Sequence, residues 1–242
     1  MIKADLHIHT VLSPCGDIEM TPLNIVRKAK ECGIGIIGIT DHNSTLNCVE
    51  TIRIGKREGI FVLCGAEITT KEEVHVIVFV DESNRELLQI YLENHIQKIP
   101  NDPDIFGYQL AVNEKEEVVA QIDYLLINAL DQSIEQVETF VHSIGGIFIP
   151  AHINKTQNSI YSQLGFIPAA LKPDAVEISA KGVQSEQTAM DKSLLKFNFI
   201  RSSDAHYIEN FGSVYTVIYP ENISFEAIKR AIKSSLSPPA IT

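Results

Sequence analysis

Seven short apolar runs, most of them leading into a histidine or a carboxylate and most followed by a helical pattern, constrain this chain more than any other feature. They lie at 2–8, 35–40, 61–66, 74–80, 147–152, 175–179 and 198–203. Stretches such as IGIIGI at 34–39 and VIVFV at 76–80 are apolar throughout, as strands covered on both faces are. Between them, TPLNIVRKAKECG at 21–33 carries a complete set of helix signals: Thr21 as N-cap, Pro22 at the first helical position and Gly33 at the end. Further helices are expected near 46–58, 84–97, 133–144, 185–195 and 224–235. Strands alternating with helices mean βα units and a largely parallel α/β sheet. Seven of them fit a closed or nearly closed barrel. An open doubly wound sheet has the same local pattern, but the chain lacks GxGxxG and GxxxxGK[ST], the usual nucleotide-binding marks of such sheets.

The 242 residues suffice for one large α/β domain, and the reading is a single domain over 1–242. Residues 101–130 break the rhythm: FGYQLAVNEKEEVVAQI reads as a hairpin turning near Asn113 to Glu116, inserted before the fifth barrel strand. No apolar run approaches a membrane span and no basic-then-apolar leader opens the chain, so a cytoplasmic location without a membrane partner is expected. Cys15, Cys32, Cys48 and Cys64 form no CxxC pair and read as reduced thiols. A formal charge of −11 argues against a broad basic surface for long nucleic acid. It is compatible with a small phosphorylated substrate or a nucleotide, since bound cations can supply positive charge locally.

The polar residues that end the runs carry the chemistry. In DLHIHT, strand alternation puts Asp5, His7 and His9 on one face and Leu6 and Ile8 on the other. GIIGIT runs into Asp41 and His42, FVLCGA into Glu67, and the fourth run opens with His75 beside it. GGIFIPAH ends at His152, and FIRSSDAH at Asp204 and His206. Imidazoles and carboxylates gathered at strand ends suit zinc, manganese or iron, and this many ligands can house more than one divalent transition-metal ion. A lone HxH would be weak; six of the eight histidines placed at successive strands are not. His95 and His142 fall in helices and are left out. Glu177, in AVEIS, either approaches the site from the remaining wall or is a carboxylate held by hydrogen bonds inside the barrel. Lys155, Lys181 and Arg201 follow strands closely enough to be candidates for the substrate phosphate.

These motifs, in this order, resemble the PHP (polymerase and histidinol phosphatase) superfamily of metal-dependent phosphoesterases: DLHIHT the first, GITDHN the second, GAEI with His75 the third, and PAH and SDAH the closing ones. The resemblance covers residues 4 to about 206. It implies a distorted seven-stranded TIM-like β/α barrel with two or three metal ions. His7, His9, Glu67 and Asp204 would hold one ion, Glu67 would bridge to a second held by His75 and His152, and His42 with His206 would hold a third. Where the family commonly has an Asp directly after Ser, this chain reads SPCGD, so Asp17 or Cys15 must supply the missing ligand, with Asp17 preferred for keeping the carboxylate chemistry.

The resemblance further implies hydrolysis of a phosphoric ester by a metal-bound hydroxide, with Glu67, Asp204 and His206 as the catalytic group. Monoester and diester substrates both remain open at this point. So does a second class, a non-catalytic metal-binding regulatory module, against which the near-complete ligand set argues.

Overall fold

The computed structural model describes residues 1–179, 194 and 196–234. Among these the strands are β1 (Ile2–Ile8), β2 (Ile36–Ile39), β3 (Phe61–Thr69), β4 (His75–Val80), β5 (Leu110–Val112), β6 (Val118–Gln121), β7 (Ile147–Pro150), β8 (Val176–Glu177), β9 (Phe199–Ile200) and β10 (Thr216–Ile218). The helices are α1 (Pro22–Cys32), α2 (Leu46–Glu58), α3 (Arg85–His95), α4 (Pro103–Phe106), α5 (Ile134–Ser143), α6 (Ile160–Leu164) and α7 (Phe225–Lys233). The helix expected at 185–195 lies outside the described residues. Helix α1 starts and stops as its sequence dictates: the Thr21 side chain accepts from the Asn24 N–H, and Gly33 turns the chain out at φ 66°.

Six strands form one curled sheet in the order β10, β1, β2, β3, β4, β7. The β1, β2 and β3 strands run parallel, while β4, β7 and β10 are each antiparallel to the strand they join on. This curled half-barrel is consistent with the expected TIM-like barrel, with six strands in its sheet among the described residues where seven were expected. The β8 and β9 strands form a separate parallel pair, held to β7 by Ile153 N–H donating to Glu177 O at 2.9 Å and to β1 by His9 N–H donating to Ala205 O at 3.0 Å. Strand β10, only three residues long, gave no pattern long enough to register in the sequence. The β5 and β6 strands pair as an antiparallel hairpin, docked by the Asn47 side chain, which donates to Leu110 O and accepts from Val112 N–H.

Alternate strand residues divide between two apolar layers. Ile37, Ile39, Cys64, Ala66, Val76, Val78 and Phe148 pack outward under the helices, whereas Leu6, Ile36, Leu63, Ile77, Phe79, Ile149 and Ala175 fill the concave side together with Phe225, Ile228 and Ile232 of α7. Phe79 occupies space that Gly38 and Gly65 leave open; a Cβ on Gly65 would stand 2.5 Å from its ring. Moving up the strands, the inner positions change character: Leu63 and Gly65 give way to Glu67, Phe79 and Ile77 to His75, and Ala175 to Glu177. The apolar layers are a floor, and the polar residues stand on it at the carboxyl ends of the parallel strands.

At the opposite end, buried Asp174 fastens three elements. Its carboxylate accepts from Phe148 N–H at 2.7 Å and His142 Nε2 at 3.2 Å, and pairs with Lys233 Nζ at 2.7 Å. Burial pushes its pKa up, but the His142 and Lys233 hydrogen bonds outweigh burial and hold it below the ordinary carboxylate value. A depressed folded-state pKa means stability that is present above the ordinary value of 3.8 and is lost as pH falls through the lower folded value. Asp174→Asn is expected to cost about 2 kcal/mol at pH 7, with both side-chain partners, His142 and Lys233, partly exposed. Urea unfolding across pH 2.5–7, about the range over which such a carboxylate titrates, should then show a shallower acid loss in the variant than in the parent.

Candidate metal centre

Each polar side chain reaches the centre for a local reason. A β-bulge between Asp5 and Ile8 shifts the register of β1 against β2, so Leu6 packs inward and Ile8 outward. The simple alternation expected for DLHIHT therefore fails. Asp5 leaves the histidines and accepts from Ser203 N–H and Gly212 N–H, both at 3.0 Å, pinning the loop that carries Asp204. His152 and Asp204 adopt positive φ, 29° and 50°, in loops directly after strands, strained backbone of the kind that functional sites retain.

Glu67 is the hub. Its carboxylate, 2% exposed, lies 2.9 Å from His75 Nδ1, 3.1 Å from His152 Nε2, 3.3 Å from His42 Nδ1, and 3.4 Å from the Nε2 atoms of His7 and His9. Burial opposes its charge, yet His75, His7 and the other imidazoles hold it well below the carboxylate range. Asp204 Oδ1 faces His7 Nε2 at 3.4 Å, His206 Nε2 at 3.3 Å and His9 Nε2 at 3.6 Å, and Asp204 is likewise held far below its ordinary pKa. Despite burial, the neighbouring carboxylates push His7 and His9 up. Burial pushes His42, His152 and His206 down, which keeps those rings neutral.

A second ring of residues aims the first. His7 Nδ1 sits 3.0 and 3.2 Å from the Glu177 oxygens, and a carboxylate only accepts, so Nδ1 carries the proton and Nε2 turns to the cluster. Ser13 Oγ donates to Asp41 at 2.7 Å and so accepts from His9 Nδ1 at 3.0 Å, orienting that ring in the same way. Glu177 thus resolves to an orienting carboxylate; it also accepts from His152 N–H at 2.9 Å and steadies that strained residue. The sequence left Glu177 undecided and gave Ser13 no part, because both roles depend on contacts across the fold. Glu177→Ala should weaken metal binding about 10- to 100-fold, the usual effect of losing such a partner, which calorimetric titration with Mn²⁺ reads directly.

The donor set fits divalent metal ions. His42 Nδ1 is buried without a hydrogen bond and stands 3.3 Å from Glu67, a cost that coordination at this nitrogen would offset, while His152 and His206 turn Nε2 to the cluster carboxylates. Two donors at about 2.1 Å from one ion in tetrahedral geometry stand about 3.4 Å apart, the spacing that recurs here among His7, His9, Glu67 and Asp204. Among the described residues, three groups converge closely enough to share an ion: His7, His9 and Asp204; His42, Glu67 and His75; and His9, Cys15 and His42.

The remaining expectations sort plainly. Asp17 is not brought to the cluster; it accepts from Glu19 N–H at 2.9 Å within its own turn, while Cys15 joins His9 and His42. Cys15 reaches the surface, yet desolvation, with Glu67, Asp41 and Asp204 nearby, pushes its thiol up to about 12. Lys155 pairs with Asp204 Oδ2 at the rim of the cluster. Among the described residues the Arg201 guanidinium meets none of the cluster's carboxylates; its backbone is bound by Thr216. Lys181 lies outside the described residues. His95 bonds Asp131 and His142 bonds Asp174, both away from the centre.

A curled α/β sheet whose parallel strands end in a buried histidine and carboxylate cluster defines a class, the metal-dependent hydrolases. The model of the PHP domain matches residues 5–154 and that of the PHP-associated region residues 193–235, and the chain belongs to the PHP domain family. Endonuclease Q of Pyrococcus furiosus, described as lesion-specific, superposes over 96% of this chain and 56% of its own with a TM-score of 0.71 at 18% identity. A Bifidobacterium adolescentis structure named as a metal-dependent phosphoesterase covers 95% of both chains with a TM-score of 0.64 at 18% identity. Among sequences, an uncharacterized Bacillus subtilis protein, YqxK, is 26% identical over 96% of this chain and 62% of its own. An uncharacterized Methanocaldococcus jannaschii protein is 40% identical over 34% of this chain and 52% of its own. The chain thus spans between half and two thirds of these curated relatives.

One comparison corrects the expectation against long nucleic acid. Endonuclease Q, with the same fold, is held in complex with a 27-mer duplex substrate that has an abasic lesion at the active site. Net charge sums over the whole surface, whereas phosphates are neutralised where they touch, so an overall −11 does not close this fold to a duplex. Among the described residues no helix is long and apolar enough to cross a membrane.

Proposed function

We propose that this chain is a metal-dependent phosphoesterase that hydrolyses phosphodiesters in a nucleic acid strand. The observation that carries the reading is the Glu67 hub, one buried carboxylate within 3.4 Å of five imidazoles at the carboxyl ends of the strands. The likeness to endonuclease Q over nearly the whole chain supports the substrate class. In this reading His7, His9 and Asp204 hold one ion and His42, Glu67 and His75 a second, with His152 and His206 at their flanks. Bound divalent ions would supply Lewis acidity to the phosphoryl oxygens and to the attacking water.

The chain's own groups do the placing. Glu67 touches both ligand groups and sets their separation. Lys155, paired with Asp204 and 34% exposed, is the cation at the mouth; its ammonium turns to a phosphate oxygen when a substrate anion competes for it. The loop behind it is fixed by reciprocal bonds between Asn154 and Ser179, each at 2.9 Å, so the ammonium swings from a firm base. His206, 28% exposed and stacked on His9 at 4.2 Å, is the most open imidazole of the six and borders the path of entry.

The test is an assay of the Mn²⁺-loaded protein on labelled duplex and single-stranded oligonucleotides, with and without an abasic site, beside p-nitrophenyl phosphate and its bis-ester. Strand cleavage that a chelator stops is the expected result. Turnover of the monoester alone would replace the nucleic acid with a small substrate, and no turnover with metal bound would favour the non-catalytic module.

A further inference from the structure

The three convergent groups cannot all fill at once. His9 belongs both to the group with His7 and Asp204 and to the group with Cys15 and His42; His42 belongs to the latter and to the group with Glu67 and His75. An imidazole offers one lone pair to one ion when its other nitrogen holds a proton, and His9 Nδ1 is committed to Ser13. The two carboxylate-bearing groups share no residue, so they can fill together. The cysteine group takes a donor from each of them.

The cysteine group also differs in kind. Two imidazoles and a thiolate, without a carboxylate, suit soft ions such as zinc or cadmium, whereas the carboxylate groups accept manganese. Its parts are held in place from several directions. Ser13 Oγ accepts from both His9 Nδ1 and His42 N–H. The turn bearing Cys15 closes through Gly16 N–H to Ser13 O at 2.8 Å, and Asp17 N–H bonds His206 O at 2.8 Å. Gly16 is required there, since a Cβ would stand 2.2 Å from Thr10 O. His42, 6% exposed, has its Nδ1 buried without a hydrogen bond, 3.3 Å from Glu67.

We propose that Cys15, His9 and His42 form a soft-metal site that competes with the two carboxylate-bearing sites for the same imidazoles, so that a thiophilic ion expels the working pair. This rests on the reading of those two groups as metal sites. Binding converts the Cys15 thiol to a metal thiolate and releases its proton to solvent; no oxidant is involved.

Cadmium is the probe. Protein loaded with Mn²⁺ is titrated with Cd²⁺ while the thiolate-to-cadmium charge-transfer absorption and the bound manganese are both recorded, for the parent and for Cys15→Ser. The expected result is an absorption band in the parent that Cys15→Ser lacks, rising as bound manganese falls toward zero, with manganese retained in the variant to at least tenfold higher cadmium. A band with undiminished manganese would overturn the competition, and no Cys15-dependent band would overturn the site. Failure of the parent to bind manganese at all would instead overturn the underlying reading, and the band would still report on Cys15 separately.

Discussion

Replacing Glu67 with glutamine should reduce kcat/KM by about a thousandfold or more, comparable to or beyond the loss of a main electrostatic group in other active sites. The substitution keeps the size of the side chain and leaves the backbone links of Glu67 to Asp41 and Asn43 undisturbed, so the strand should stay in place. What disappears is the negative charge at the meeting point of five imidazoles. A neutral amide coordinates weakly and cannot tie two ion sites together, so bound manganese should fall along with the rate. His95→Ala is the matched control: His95 bonds Asp131 and Gln132 at the surface, and its loss should change the rate less than about twofold, as surface substitutions usually do. Metal content by elemental analysis, read beside the kinetics, separates loss of ligation from loss of fold. Equal rates for the two variants would remove Glu67 from the centre of the mechanism.

The strands were legible because both of their faces are buried, which writes continuous apolar runs into the sequence, and because each run is interrupted where the interior turns polar. Glu67, His75, His152 and Asp204 stand at those interruptions. Helix α1 was legible from its caps. Other features depend on contacts that no local pattern contains. Glu177 meets His7 across 170 positions of sequence, and Asp5 meets Gly212 across 207. The β-bulge in β1 sends Asp5 away from the histidines although alternation placed it among them. The choice between Cys15 and Asp17 turned on the path of a five-residue turn, where Gly16 lets the backbone pass close under Thr10 and leaves Asp17 facing its own loop. Composition misled in one respect: the acidic total says nothing of the few square ångströms where a phosphate lands.

Removing the ions should lower the melting temperature by about 8–16 °C for each site emptied. Ions held by the native cluster and not by the unfolded chain stabilise by RT ln(1 + [L]/Kd), about 4 kcal/mol for one site at a thousandfold excess over Kd. For a chain of this length each kcal/mol moves the transition by about 2–4 °C. The direction follows from what the cluster contains: His42, His152 and His206 are held neutral, each with a buried Nδ1 that makes no hydrogen bond in the protein. Stripped of ions, the folded state therefore keeps a desolvation cost that the unfolded chain escapes through water. Calorimetric scans of chelator-treated and Mn²⁺-reloaded protein measure the difference. Mass action supplies a stricter requirement, since each tenfold rise in free Mn²⁺ above Kd should add about 1.4 kcal/mol per site. Glu67→Gln should flatten this dependence while His95→Ala leaves it intact. A melting temperature indifferent to manganese in the parent protein would mean that the imidazoles and carboxylates are a self-sufficient polar core, and the metal reading would fall with it.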